Sequence, residues 1–178
     1  RLGPGLESSD MITSGYKASA VLAKSFLGGA VIDRSGVWIG IIQSSDAGVT
    51  SVLPVSAIRQ ALSGVLREQV ISRPALGAHY IDLARGSGIS ESLRKRRTNG
   101  AYLFGTTGDP AVLPRSAAAA AGLRSGDVII KVNGQLLTET LGLSDALQSF
   151  AARQSIEITY VRDGTEKTVT VVLDEVTS

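Results

Sequence analysis

The sequence predicts a mainly β protein with a few helices (β/α+β), and two features of the chain support this fold class. Short runs rich in Val, Ile and Thr recur along the chain and are separated by turns containing Gly, Asp and Asn. Segments with a helical period are few and short. Hydrophobic residues make up 43% of the 178 residues and charged residues 19%, so a buried core is feasible.

The first predicted unit, residues 1–72, begins with a Gly- and Ser-rich stretch that has no helical period. From Gly28 onward, the strand-like runs "GGAVID" and "GVWIGIIQ" flank "DRSG", a turn in which Asp33 and Gly36 occupy favourable positions. A third strand, "GVTSVLP", leads into a helix with Pro54 in its first turn. The apolar stripe of that helix consists of Ile58, Leu62, Val65 and Leu66.

The second predicted unit, residues 73–178, follows a linker around "VISRPALG". It starts with two strands, "LGAHYIDLA" and "AYLFGTT", and a short helix "SAAAAAG" that Gly122 closes. The Asn133-Gly134 pair predicts a type I′ hairpin within "DVIIKVNGQLL". The unit ends with a helix, "LSDALQSFAAR", and two alternating strands around the turn at Arg162-Asp163-Gly164.

Composition excludes several classes of chemistry. The chain has no cysteine, which rules out disulfides, thiol catalysis and thiolate metal sites, and we predict no metal and no cofactor. A net charge of +2 gives no support for nucleic-acid binding. No apolar run approaches the roughly 20 residues of a membrane helix. Because the chain begins with Arg1 and its one methionine is Met11, we expect a piece of a longer protein.

The stretch "SAAAAAGLRSGDVIIKVNGQLL" resembles the PDZ domains of HtrA-type proteases. Those domains share the pattern Ser-x-Ala-x-x-Ala-Gly-Leu-x-x-Gly-Asp-x-Ile-x-x-x-Asn-Gly. The positions that match it in register are Ser116, Ala118, Ala121, Gly122, Leu123, Gly126, Asp127, Ile129, Asn133 and Gly134. PDZ domains bind peptides as an added strand and hold the terminal carboxylate on a nest of backbone N–H groups.

The resemblance implies a peptide-binding site on the second unit. It assigns the carboxylate loop to Leu76-Gly77-Ala78 and the ligand-pairing strand to His79, Tyr80 and Ile81. The other wall of the groove is then the helix that bears Leu143, Leu147 and Phe150, with an apolar pocket for the last ligand side chain. The competing interpretation is that these apolar residues are simply core, and that His79, the one histidine, is an ordinary edge residue.

Residues 11–72 resemble the end of the trypsin-like protease domain that precedes the PDZ domain in the HtrA family. The family pattern is Thr-Asp-Ala-Ala-Ile-Asn-Pro-Gly-Asn-Ser-Gly-Gly, which aligns with residues 18–29 and is followed by a strand, a turn and "G-x-x-I-G-I". This chain keeps Gly28 and Gly29 and the sequence "GVWIGI", but it has Leu27 at the position of the nucleophilic serine. Ser25 replaces the preceding glycine and Ser19 replaces the aspartate.

The resemblance therefore implies a degenerate protease site. Leu27 offers no nucleophile, and Ser25 lies two residues too early to replace it. The catalytic base is missing too, because the one histidine, His79, belongs to the second unit. We expect no catalytic residue in this chain.

These observations predict the C-terminal portion of a degenerate trypsin-like barrel (residues 1–72) followed by a PDZ domain (residues 73–178). The expected function is recognition of unstructured peptides or protein C-termini by an extracytoplasmic pseudo-protease or adaptor in protein quality control. The first alternative is the regulatory, substrate-binding part of an active endopeptidase whose catalytic residues lie elsewhere; the second is a purely structural assembly module.

Other partners are expected to follow from the same family. They are a second copy of the chain or an N-terminal protease half, and a membrane only through a segment that this chain lacks. The run "RKRR" at residues 94–97 could contact phosphate, but a solvated loop is the expected role, and we predict no nucleic-acid binding.

Overall fold

The structure is a computed structural model of the chain. It describes residues 6–10, 16–46, 49–55, 58–59, 62, 72–84 and 97–177. The described residues form two compact units. The larger unit comprises residues 6–10 together with Arg73–Val176, and the smaller unit comprises described residues between 16 and 72. Residues 6–10, which the sequence placed in the first unit, thus belong with the second.

The smaller unit contains a four-stranded antiparallel sheet. Its strands are β2 (Tyr16–Ala18), β3 (Ala30–Ile32), β4 (Trp38–Asp46) and β5 (Val49–Pro54), in the spatial order β2-β5-β4-β3. The predicted "DRSG" turn joins β3 to β4. Its Asp33 Oδ1 accepts hydrogen bonds from the Ser35 hydroxyl and from the N–H groups of Ser35 and Val37. These bonds hold the pKa of Asp33 below its ordinary value, and the bond from the Ser35 hydroxyl has the largest effect.

The three strands predicted for this unit are confirmed, but the position of Pro54 is not. Pro54 is the last residue of β5, where it pairs with Gly40, rather than part of a helix. Among the described residues, β2 pairs with β5 no further than Val52, so Pro54 lies where β5 has a partner strand on one side, an edge position in which proline is tolerated. Val55, Ile58, Arg59 and Leu62 have helical backbone, whereas the predicted stripe residues Val65 and Leu66 lie outside the described residues.

The larger unit is built on a seven-stranded antiparallel sheet. Its strands are β1 (Glu7–Ser8), β7 (His79–Asp82), β8 (Ala101–Leu103), β9 (Val128–Val132), β10 (Gln135–Leu136), β11 (Ser155–Arg162) and β12 (Thr165–Val172). The spatial order is β1-β7-β8-β9-β11-β12, and β10 also pairs with β9.

A separate two-stranded ribbon pairs β6 (Ser72–Ala75) with β13 (Asp174–Thr177). The sequence predicted a linker at β6. The segment forms a strand instead, because its backbone finds hydrogen-bonding partners about 100 residues further along the chain.

Two short helices complete the larger unit, α1 (Ala117–Ala120) and α2 (Leu143–Leu147). The prediction of α1 is confirmed: Ser116 caps it through its side chain, and Gly122 closes it with φ = +75°. The prediction of α2 was too long, since the chain leaves the helix after Leu147. The N–H of Phe150 donates to the carbonyl of Leu147, so the last turn is tighter than an α-helix and Phe150 lies beyond it.

The core of the larger unit lies between the sheet and these helices. Its largest fully buried side chains include Tyr80, Leu103, Ile129, Ile158 and Leu173. The predicted Asn133-Gly134 hairpin between β9 and β10 is confirmed, with φ positive at both residues.

An ion pair fastens β11 to the loop before β9. Arg162 Nε and one of its terminal nitrogens each donate to the Asp127 carboxylate at 2.7 Å, while the Asp127 side chain is only 1% exposed. Hydrogen bonding to Asp127 raises the pKa of Arg162 above its ordinary value. Within the part of the chain that the structure describes, no helix is long and apolar enough to cross a membrane.

Candidate functional site

The loop Leu76-Gly77-Ala78 brings consecutive backbone N–H groups to one side of the chain. Gly77 has φ = +73°, a conformation that residues with a Cβ rarely adopt. A Cβ at this position would also lie 2.2 Å from the Cβ of Ser116. Glycine is therefore needed here for both backbone geometry and space, which is what a nest of N–H groups requires.

A carboxylate already occupies this nest. The N–H groups of Leu76 and Gly77 donate to Asp10 Oδ1 at 2.8 and 2.9 Å. The next N–H, from Ala78, donates to the Ser9 hydroxyl at 2.9 Å, and that hydroxyl donates to the same Asp10 oxygen at 2.7 Å. Three donors thus converge on one carboxylate oxygen that comes from the chain itself.

The residues before Asp10 form a strand beside the loop. β1 pairs antiparallel with β7, with Glu7 opposite Tyr80 and Ser8 opposite His79. The ladder continues where the N–H of Ser9 donates to the carbonyl of Ala78 at 2.9 Å. The segment runs towards the nest and places its carboxylate there, the direction in which a peptide C-terminus approaches such a site in β-augmentation.

The three residues predicted on the ligand-pairing strand lie on β7. The N–H and Nδ1 of His79 contact the carbonyls of Ala111 and Pro110 at 2.9 and 2.8 Å, so this side chain is held by the neighbouring loop. Ile81 is half-buried and pairs with Tyr102 on β8.

Tyr80 points into the core and links β7 to α2. Its hydroxyl lies 3.1 Å from the hydroxyl of Ser144, and the side chain is fully buried. Burial raises the pKa of Tyr80, and the negative charge of Glu7 on β1 raises it further. Tyr80 therefore stays neutral and serves as a packing and hydrogen-bonding residue between strand and helix.

The predicted wall residues of the groove belong to the core. Leu143 and Leu147 are 1% and 0% exposed, and they share one apolar cluster with Leu76, Ala78 and Tyr80. Phe150 is partly buried and packs against the same cluster. The structure thus brings the loop, the strand and α2 together, while the leucines have a core role as the competing interpretation expected.

The position predicted for the lost nucleophile lies in the smaller unit. A 3-10 turn, Lys24–Phe26, leads into Leu27, which is 45% exposed. The N–H of Leu27 donates to the carbonyl of Lys24 at 3.1 Å, and the N–H of Gly28 donates to the carbonyl of Ile42 at 2.9 Å. Ser25 is exposed within the 3-10 turn.

Two other predictions concern charged and metal-binding groups. Of the basic run at residues 94–97, Arg97 is exposed and the other three positions lie outside the described residues. No group of three or more potential metal ligands occurs among the residues that the structure describes.

Sequence reasoning missed the residues that fill the nest. Leu6, Ser8, Ser9 and Asp10 lie in a polar stretch with neither a helical period nor a strand of ordinary length, since β1 has two residues. The only available signal was an acidic residue at the end of "LESSD", which is weak because its partners are 66 and 67 residues away along the chain.

Known proteins are similar to this chain in sequence and in fold. Residues 108–162 match the PDZ domain family. The "Serine protease Do-like HtrA" of Lactococcus lactis subsp. cremoris is 35% identical over 164 residues, which cover 85% of this chain and 39% of that protein. The chain is an HtrA-type, PDZ-containing region.

A second relative is less similar. The "Periplasmic serine endoprotease DegP" of Escherichia coli is 24% identical over 165 residues, covering 89% of this chain and 33% of DegP. The HtrA-type region therefore spans about two fifths of the length of its lactococcal relatives and a third of DegP.

Solved structures share the fold. The HtrA-type protease AlgW, solved with a tripeptide, superimposes with a TM-score of 0.56 at 20% identity, covering 84% of this chain and 49% of AlgW. AlgW solved with a decapeptide gives a TM-score of 0.55 at 20% identity, with 84% and 45% coverage. The mainly β architecture predicted from the sequence, with an HtrA-type fold and a PDZ domain, is confirmed.

Proposed function

We propose that this HtrA-type region recognises unstructured peptides or protein C-termini through its PDZ domain, residues 73–178. The ligand adds a strand beside β7 and places its terminal carboxylate on the N–H groups of Leu76 and Gly77. The observation that carries the proposal is the convergence of both N–H groups on one carboxylate oxygen, at 2.8 and 2.9 Å. AlgW, which shares the fold, was solved with a tripeptide and with a decapeptide, and this adds support.

An array of peptides that differ in their last residue tests this proposal. Each peptide is offered with a free carboxylate and with an amidated terminus as its matched control. Peptides with a free carboxylate are expected to bind, and amidation is expected to weaken binding at least about tenfold, because a charge-assisted pair of hydrogen bonds is lost. Equal binding of both forms, or no binding by any peptide, would contradict the proposal.

We further propose that the first predicted unit, residues 1–72 without the segment 6–10 that belongs to the larger unit, is the C-terminal portion of a trypsin-like barrel that has lost its chemistry. Leu27 carries no nucleophile, and its N–H, which would help to form an oxyanion hole, already donates to the carbonyl of Lys24. The one histidine of the chain, His79, is held by Pro110 within the PDZ domain. The full-length protein would then act as a pseudo-protease or adaptor.

A fluorophosphonate probe and unfolded casein, applied to the full-length protein, test the loss of proteolysis. No serine is expected to be labelled and no casein cleaved. Labelling of any serine would favour the alternative function, in which this region regulates an active HtrA-like endopeptidase whose catalytic residues lie elsewhere.

The proposed setting is protein quality control outside the cytoplasm, in the periplasm, the cell envelope or at a membrane. The name of DegP includes "periplasmic", which supports this setting by similarity alone. A second copy of the chain and an N-terminal protease half are the proposed partners besides peptides. Cell fractionation with an antibody against the protein tests the location, and recovery in the cytoplasmic fraction would contradict it.

A further inference from the structure

We infer that residues 6–10 are an internal ligand of the PDZ groove, and that an external peptide must displace them to bind. This inference rests on the proposed function, because it concerns the same groove. The segment contributes both features by which a peptide is recognised in β-augmentation, an added strand and a carboxylate in the nest.

The carboxylate contact supports this inference. Asp10 Oδ1 accepts from the N–H groups of Leu76 and Gly77 and from the Ser9 hydroxyl, all within 2.9 Å. Hydrogen bonds to an ionised acceptor are stronger than those between neutral groups, so the segment gains from keeping its carboxylate in the nest. The side chain of Asp10 thus stands where the terminal carboxylate of a peptide would lie.

Burial of the segment supports it as well. Ser9 is 0% exposed, and Leu6 and Ser8 are each 9% exposed, although "LESSD" is a mostly polar stretch. A polar segment gains nothing from burial unless its polar groups are bonded, and Ser9 is bonded through its N–H and its hydroxyl. The hydrogen bonds of these buried polar groups therefore make the contact between residues 6–10 and the edge of β7 a specific one.

The strand that residues 6–10 add to β7 is short, so a longer external peptide can displace it. β1 has only two residues, and the Asp10 carboxylate is only partly buried. An external peptide can pair along more of β7 and offers a carboxylate on its own backbone. Its apparent affinity is then the intrinsic affinity multiplied by the fraction of molecules in which the segment has left the groove.

The test uses the full chain and a fluorescein-labelled peptide of sequence GLESS with a free carboxylate. This probe repeats the chain as far as Ser9 and ends on a backbone carboxylate in place of the Asp10 side chain. Its dissociation constant is measured by fluorescence anisotropy for the wild type, for Asp10→Asn, and for Ser9→Pro, which removes the N–H donated to Ala78. Asp163→Asn, in the exposed turn between β11 and β12, is the matched control.

We expect Asp10→Asn and Ser9→Pro to bind the probe at least about tenfold more tightly than the wild type, and Asp163→Asn to match the wild type. Hydrogen exchange of the Leu76 and Gly77 amides in the ligand-free protein is expected to be faster in Asp10→Asn than in the wild type. Equal affinities together with equal exchange rates would overturn the inference and leave the proposed function standing.

A different result would separate the internal contact from peptide binding. Faster exchange in Asp10→Asn, with no binding of the probe or of any array peptide to any variant, would show that the internal contact exists but that the groove does not take peptides. The proposed function would then fail, and displacement by a peptide would fail with it.

Discussion

At the scale of single residues, the carboxylate nest depends on Gly77 for two separable reasons. Its φ of +73° disfavours any residue with a Cβ, and the space for a Cβ is taken by Ser116. Ser116 cannot move freely, since its hydroxyl donates to the carbonyl of Leu113 and accepts from the N–H of Ala119 at the start of α1. The loop and the helix cap therefore constrain one another.

Replacement of Gly77 by alanine is predicted to destabilise the fold by about 3 kcal/mol, of which about 1 reflects the backbone conformation and about 2 the crowding against Ser116. Gly164→Ala is the matched control, because Gly164 has φ = +78° but a Cβ there would meet no atom within 4 Å. It should cost only about 1 kcal/mol. Urea denaturation measures both values, and equal losses would show that the contact with Ser116 is unimportant.

At the scale of elements, most strands and α1 could be predicted because their signals are local. The Asn133-Gly134 turn, the "DRSG" turn and the Ser116 cap each act within a few residues. β1 and β6 could not be predicted, because their hydrogen bonds go to strands far away in the sequence. The length of α2 was overestimated because the apolar spacing up to Phe150 continues after the helical backbone has ended.

The candidate site, too, has a part that the sequence predicts and a part that it does not. Leu76, Gly77 and Ala78 are predicted as the carboxylate loop through resemblance to a family pattern. In the structure the N–H groups of Leu76 and Gly77 converge on Asp10 Oδ1, and that of Ala78 donates to the Ser9 hydroxyl. Asp10 could not be located, since the one signal in residues 6–10, an acidic residue after two serines, does not indicate which distant loop it contacts. The local sequence is thus enough to indicate the carboxylate loop. The contact with Asp10 is long-range and forms only when the chain folds.

The ion pair between β11 and the loop before β9 gives a prediction at this scale. Arg162→Met is expected to lower the free energy of unfolding by about 3 kcal/mol or more, because it leaves the buried Asp127 carboxylate without its cation. Arg153→Met is the control, since Arg153 bonds Glu175 at 2.7 Å but is 80% exposed; its loss should be below about 1 kcal/mol. Urea denaturation measures the free energy of unfolding of both variants, and similar losses would contradict a special role for the pair that Arg162 forms with the buried Asp127.

At the scale of the whole molecule, we propose that recognition belongs to the larger unit and that the smaller unit carries no catalysis. The larger unit holds the nest, the edge of β7 and α2, whereas the smaller unit has Leu27 at the position that the family resemblance assigns to the nucleophile. We therefore propose that this HtrA-type region acts by binding carboxylates at residues 76–78, and that its own Asp10 competes for that place.

Amide NMR spectra of the ¹⁵N-labelled full chain, titrated with the GLESS peptide, test this claim most directly. We expect the peptide with a free carboxylate to shift the amide resonances of Leu76, Gly77 and Ala78, and the Ser9 amide to become exposed to exchange as residues 6–10 leave the groove. The amidated peptide should cause neither change. Saturable binding of the peptide that leaves the resonances of residues 76–78 and Ser9 unmoved would contradict the claim.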